Sequence, residues 1–148
     1  VPQITYKELF SKNVADIISF QLDVISTMKD KSFYIPADEA EIEAMKSHGI
    51  FIDAFYGDKF VGYSQLVFCQ NYLQDFRNKY GYNNVSEIAY MVHPDYRGQG
   101  IAGELAERLL KLARDKKVAT IVKTTCSIEN APSINILQKL GFKKIGAY

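Results

Sequence analysis

Arg97, Gly98, Gly100 and Gly103, in the run R-G-Q-G-I-A-G, stand directly ahead of an apolar-periodic stretch. A helix that begins there presents backbone N–H groups with no helical acceptor, and glycine keeps side chains out of their way. Such an end is a ready site for an anion, because its donors and the helix dipole both favour negative charge. Arg97 adds a guanidinium fork at the same place. The run therefore reads as a cradle for a pyrophosphate, formed by Arg97 and the backbone of Gly98, Gln99, Gly100, Ile101 and Ala102. The plain alternative is a glycine-rich turn before a surface helix. Upstream, the alternating residues V-S-E-I-A-Y-M-V put the carboxylate of Glu87 on one face with Ala89 and Met91.

Three motifs compete for residues 97–103. Gly98, Gly100 and Gly103 match G-x-G-x-x-G, the dinucleotide fingerprint, but that glycine turn should follow its strand almost directly. Here 93–97 intervene. The acidic residue that should bind the ribose is also missing: the next strand carries Lys123, and the first acid after it is Glu129. A Walker A loop fails because no Gly-Lys-Ser/Thr is present. The third reading is R-x-x-G-x-A, as Arg97, Gly100 and Ala102.

The elements that must position this run follow from periodicity and punctuation. Residues 3–9 alternate loosely as a first strand, and Asn13 is placed to cap a helix carrying Val14, Ile17, Ile18, Leu22, Ile25 and Met28, ending near 29–31. Residues 37–47 are good helix formers, stopped by His48-Gly49. Residues 50–56 and 59–69 read as a hairpin about Gly57-Asp58. Residues 70–84 fit either a helical insert or a long loop. Val85–Val92 is a strand, 101–116 the strongest helix, 118–126 a β-branched strand, 130–140 a helix closed by Gly141, and 142–148 the start of a last strand. The order β–α–α–β–β–β–α–β–α–β predicts an α/β fold with a mixed, mostly antiparallel sheet and helices on both faces. A parallel crossover is expected between 85 and 126.

The run V-H-P-D-Y-R-G-Q-G-I-A resembles the pyrophosphate-binding motif of the GNAT superfamily, the acetyl-CoA-dependent N-acyltransferases. Asn130-Ala131-Pro132-Ser133, ending in Leu140-Gly141-Phe142, is similar to the second motif of that family. The resemblance covers 85–142, and the N-terminal half only through element order. It implies a GNAT-like fold with acetyl-CoA as co-substrate and an N-acetyltransferase acting on a small amine or peptide. In such a fold the strand before the loop splays from its parallel neighbour, and backbone groups of Met91 and Val92 would pair with the pantetheine arm. One of their N–H groups would polarise the thioester carbonyl. The resemblance places Asn130 and Ser133 against the cofactor, although Asn130 is equally a helix cap. Lys139, Lys143 and Lys144 fit either the 3′-phosphate or a solvated basic face. Glu87 resembles the family's catalytic base, which deprotonates the attacking amine; its alternative is a salt-bridged or substrate-orienting carboxylate. The tyrosine that commonly protonates the departing thiolate is absent, since Leu137 stands at its position. Tyr90, Tyr148, water or the substrate ammonium would then supply the proton. Phe33, Tyr34, Tyr72, Phe76, Tyr80 and Tyr82 would form an aromatic acceptor wall, or simply pack as core or lid.

Composition bounds the rest. The chain has 148 residues, 47% hydrophobic and 24% charged, which fits one folded domain over 1–148. A formal net charge of +1 gives no electrostatic case for nucleic acid or an anionic membrane. Cys69 and Cys126 cannot make a disulfide framework, and Cys126 reads as a structural cysteine. His48 and His93 lie far apart with no zinc-type spacing, so no metal is expected. No apolar run is long enough to span a bilayer, and a cytoplasmic protein is expected. The family resemblance implies a further strand after the one begun at Phe142, for which little chain remains, so trimmed residues or a second copy, as in a homodimer, would complete that sheet edge. Two rivals remain: a non-catalytic acyl-CoA-binding module, and a nicotinamide-dependent oxidoreductase resting on the G-x-G-x-x-G letters.

Overall fold

The computed structural model of the chain describes residues 3–8, 14–28, 38–67, 78–79, 85–116, 121–124, 126 and 130–146. Among them five strands make one sheet in the order β1 (Ile4–Lys7), β2 (Gly49–Tyr56), β3 (Lys59–Val67), β4 (Val85–Val92) and β5 (Ile121–Lys123). The first three pairings are antiparallel and β4–β5 is parallel. The β2–β3 hairpin turns at Gly57-Asp58 as its sequence predicts, and β4 has its expected bounds. Helices α1 (Val14–Ser26) and α2 (Glu39–His48) precede the hairpin. Helix α3 (Ile101–Asp115) provides the crossover from β4 to β5, and α4 (Ala131–Lys139) follows. Asp38 caps α2 through a capping box with Glu41, whose side chain returns to the Asp38 N–H.

The two sheet faces are covered differently. Ile101, Leu105, Leu109 and Ala113 of α3 recur at helical spacing and pack on Ile52, Ala54, Val61, Leu66, Ile88 and Val92. Two of the β3 residues beneath α3 are small: Gly62, and Ser64, whose hydroxyl donates to the Leu105 carbonyl at 3.0 Å. Small residues let the helix lie close to the sheet, and the Ser64 bond satisfies a hydroxyl that is fully buried. The other face carries an aromatic cluster of Phe20, Phe55, Phe60 and Tyr63 with Val24 and Met91, so α1 covers it. Phe20 meets Phe60 edge-on at 4.9 Å between ring centres.

Three expectations need correction. Of the predicted strand 118–126, Ile121–Lys123 is strand and residues 124 and 126 are not, while 118–120 and 125 lie outside the described residues. Helix α1 ends at Ser26, short of 29–31. Most importantly, 142–146 form no strand. The N–H of Phe142 returns to the Leu137 carbonyl and that of Gly141 to Gln138, a Schellman closure that turns the chain away from the helix. Residues 143–146 are then exposed, so they make none of the edge pairings that define a strand. Asn13 and residues 33, 34, 72, 76, 80 and 82, the proposed cap and aromatic wall, lie outside the described residues.

Candidate active site

The site is built where β4 loses its neighbour. Parallel pairing with β5 runs Val85↔Ile121, Ser86↔Val122 and Glu87↔Lys123, and no later pair forms among the described residues. Thr124 Oγ1 donates to the Ile88 carbonyl at 3.2 Å and closes the paired stretch. From there to Val92 the β5-side edge of β4 has no strand partner among the described residues. The ladder fixes which groups face that opening. His93 N–H donates to the Val61 carbonyl at 2.7 Å, so alternation directs the backbone of Met91 towards β3 and that of Tyr90 and Val92 towards the gap. The Thr124 bond to Ile88 sets the same phase. The expectation for Val92 fits this register. For Met91 it does not: its backbone faces β3, its side chain is buried in the aromatic cluster, and Tyr90 takes its place on the open edge.

Beyond β4 the chain makes a short 3-10 turn, Pro94–Tyr96, before the glycines. The His93 ring nitrogen Nδ1 accepts from Asp95 N–H at 3.2 Å, which gives it a lone pair. The Asp95 carboxylate lies 3.8 Å from the same nitrogen. The Tyr96 ring rests against Tyr56 at 5.5 Å, with Lys59 Nζ 5.1 Å from its centre. These contacts fasten the turn to the β2–β3 hairpin and deliver Arg97, exposed, to the start of α3.

Gly98 and Gly100 both adopt φ 78°, a left-handed conformation that suits glycine. Gly100 is the N-cap of α3 and provides no side-chain cap. The first helical bond runs from Glu104 N–H to the Gly100 carbonyl, so the N–H groups of Ile101, Ala102 and Gly103 have no helical acceptor. A Cβ added at Gly98 or Gly100 would meet nothing within 4 Å, so the helix end is open. Arg97, Gly98, Gln99, Gly100 and Ala102 thus surround one uncapped helix terminus, and buried Ile101 anchors it to the core. Glu104, the nearest acid on the helix, is held by Arg108 at 2.7 Å.

At the other end of the opening, Glu87 Oε2 lies 2.9 Å from Lys123 Nζ, with side chains 20% and 9% exposed. This lysine partner, absent from the sequence reading, follows from the parallel register and could not be found from either segment alone. The contact has the distance of an ion pair but not the angles of a hydrogen bond, so Oε2 keeps acceptor capacity. Across the gap, Asn130 caps α4: its side chain accepts from Ser133 N–H at 3.4 Å. Ser133 Oγ meets the Tyr90 hydroxyl at 2.5 Å. Leu137, one turn further along α4, is buried. Burial pushes the Tyr90 phenol above its ordinary value of 10.0, and the Ser133 hydrogen bond offsets part of that rise.

The model of the acetyltransferase (GNAT) family matches residues 20–142. The chain belongs to the GNAT family. Its fold is that of a GNAT acetyltransferase from Streptococcus pneumoniae, with a TM-score of 0.75 at 18% identity over 97% of this chain and 86% of that one. A putative acetyltransferase from Salmonella typhimurium, solved with its cofactor acetyl-CoA, superposes with a TM-score of 0.73 at 19% identity over 95% and 79% of the two chains. Over 70 residues this GNAT protein is 29% identical to the uncharacterised N-acetyltransferase YnaD of Bacillus subtilis. That match spans 47% of this chain and 41% of the relative, about two fifths of its length.

Proposed function

We propose that this GNAT protein is an acetyl-CoA-dependent N-acetyltransferase that transfers the acetyl group to a primary amine by direct attack. The observation that carries the reading is the continuity of the opening: an uncapped α3 terminus with Arg97 at one end, a β4 edge with no strand partner among the described residues in the middle, and Glu87 at the other. Backbone N–H groups of Gly98, Gln99, Gly100, Ile101 and Ala102, with Arg97, receive the pyrophosphate. Val92 and Tyr90 bond the pantetheine arm as a strand partner would. A backbone N–H on that edge polarises the thioester carbonyl. Glu87 accepts the proton that the amine sheds, directly or through water, and Lys123, 2.9 Å away, holds its carboxylate in place. Ser133 and Asn130 close the α4 side of the gap. The two cysteines and the balanced charge suit a reduced, cytoplasmic setting.

One observation favours a binding-only role. Glu87 is already paired with a cation, and a carboxylate so engaged can serve architecture alone. Thiol release from acetyl-CoA over spermidine, lysine, kanamycin and a peptide with N-terminal alanine separates the two. Turnover with one of them is expected. Glu87→Gln should then lower kcat about 100-fold and remove the acid-side fall of the pH–rate profile, with acetyl-CoA affinity preserved. Coenzyme A bound but never released by any amine would establish the binding module instead.

A further inference from the structure

Between the helix terminus and Glu87, the open edge of β4 bears a hydroxyl that reaches across the gap. Tyr90 stands about 7 Å along the strand from Val92 and about 10 Å from Glu87, taking ~3.3 Å per residue. A thioester whose anion end sits at α3 and whose acyl carbon meets an amine near Glu87 must bring its sulfur past this residue. The Tyr90 hydroxyl lies 2.5 Å from Ser133 Oγ in the first turn of α4, and either oxygen can be the donor. Leu137, the next side chain along that face of α4, is apolar and buried, so the helix brings Ser133 and no acid to this gap.

We propose that Tyr90, held by Ser133, donates a hydrogen bond to the sulfur as it departs and stabilises the thiolate without surrendering its own proton. This rests on the N-acetyltransferase reading. The amine nitrogen bonds to the acetyl carbon and loses one proton, the carbon–sulfur bond breaks with its electron pair on sulfur, and that proton reaches sulfur through solvent. Tyr90 remains a phenol throughout. With half-exposed Ser133 as the donor to the phenolic oxygen, the phenol O–H is free to turn to sulfur and is strengthened as a donor. The acidities agree with this division of labour. Burial holds Tyr90 above 10.0, whereas an ordinary thiol ionises at about 8.5, so a hydrogen-bonded thiolate beside an intact phenol is the favoured arrangement.

The test is the ultraviolet absorbance of the thiolate of bound coenzyme A, titrated in the wild type, Tyr90→Phe and Ser133→Ala. The thiol in the wild type should ionise about one pH unit lower than in Tyr90→Phe, with Ser133→Ala between them. One unit corresponds to about tenfold in kcat at unchanged KM for acetyl-CoA. Tyr90→Phe retains the ring, and Ser133→Ala alters only the partner, so either variant reads out the effect if the other misfolds. The same titration in wild type and both variants would overturn the role of Tyr90 while leaving the cofactor assignment standing. A wild type that binds no coenzyme A would overturn both.

Discussion

Gly100→Glu should weaken acetyl-CoA binding at least 100-fold in a calorimetric titration, roughly 2.7 kcal/mol or more. Two effects combine at this position. At φ 78° any L side chain is strained, by about 1–2 kcal/mol. The new carboxylate would also project into the space where no atom lies within 4 Å, beside the helix N–H groups that receive the pyrophosphate. It would satisfy those donors itself and repel the phosphates. Gly57→Glu separates the effects, because Gly57 has φ 59° and similarly open surroundings in the β2–β3 turn. That variant should lose stability and keep its affinity. Equal loss of affinity in both would mean that backbone strain, not occupation of the cradle, is what the substitution reports. Arg97→Ala should weaken binding by a smaller step, since it removes a cation but leaves the backbone donors in place.

Gly62→Val should have the largest effect on stability. A Cβ on Gly62 would lie 2.8 Å from the Met91 carbonyl oxygen and 3.4 Å from both Val92 Cα and a Leu105 methyl. Two of those neighbours are backbone, so relief requires β4 itself to shift. Overpacking of this kind costs about 1–3 kcal/mol, which lowers the midpoint of thermal unfolding by roughly 3–10 °C in a chain of this size. The displacement falls where β4 opens, so acetyl-CoA affinity should fall with stability even though Gly62 touches nothing in the cradle. Unchanged affinity in a clearly destabilised variant would show that the edge of β4 does not hold the pantetheine arm.

What the sequence reveals about this site divides along the range of the interactions. Gly57-Asp58, the V-S-E-I-A-Y-M-V alternation, the α3 periodicity and the Asn130 cap are local signals, and each element they predict is present. The G-Q-G terminus is also local: its left-handed glycines and missing cap follow from residue types within one turn. The pairings that complete the site are not. Glu87 meets Lys123 only through the parallel register of strands separated by α3, and Tyr90 meets Ser133 across 43 residues of chain. Alternation of side chains is visible in the strand, but which backbone groups face the gap depends on the β3 ladder. That is why Tyr90, rather than Met91, shares the edge with Val92. The last strand failed for a related reason. Residues 142–146 have strand-like composition, yet a strand requires an edge to pair with, and no composition supplies one.

Coenzyme A should run from the α3 terminus along the open edge of β4. A crystal structure of the protein with acetyl-CoA tests it most directly. The pyrophosphate should accept hydrogen bonds from backbone N–H groups between Gly98 and Ala102, with the pantetheine amides bonded to Val92 and Tyr90 and the sulfur beside the Tyr90 hydroxyl. A cofactor bound elsewhere, or one whose arm leaves the β4 edge unpaired, would contradict it.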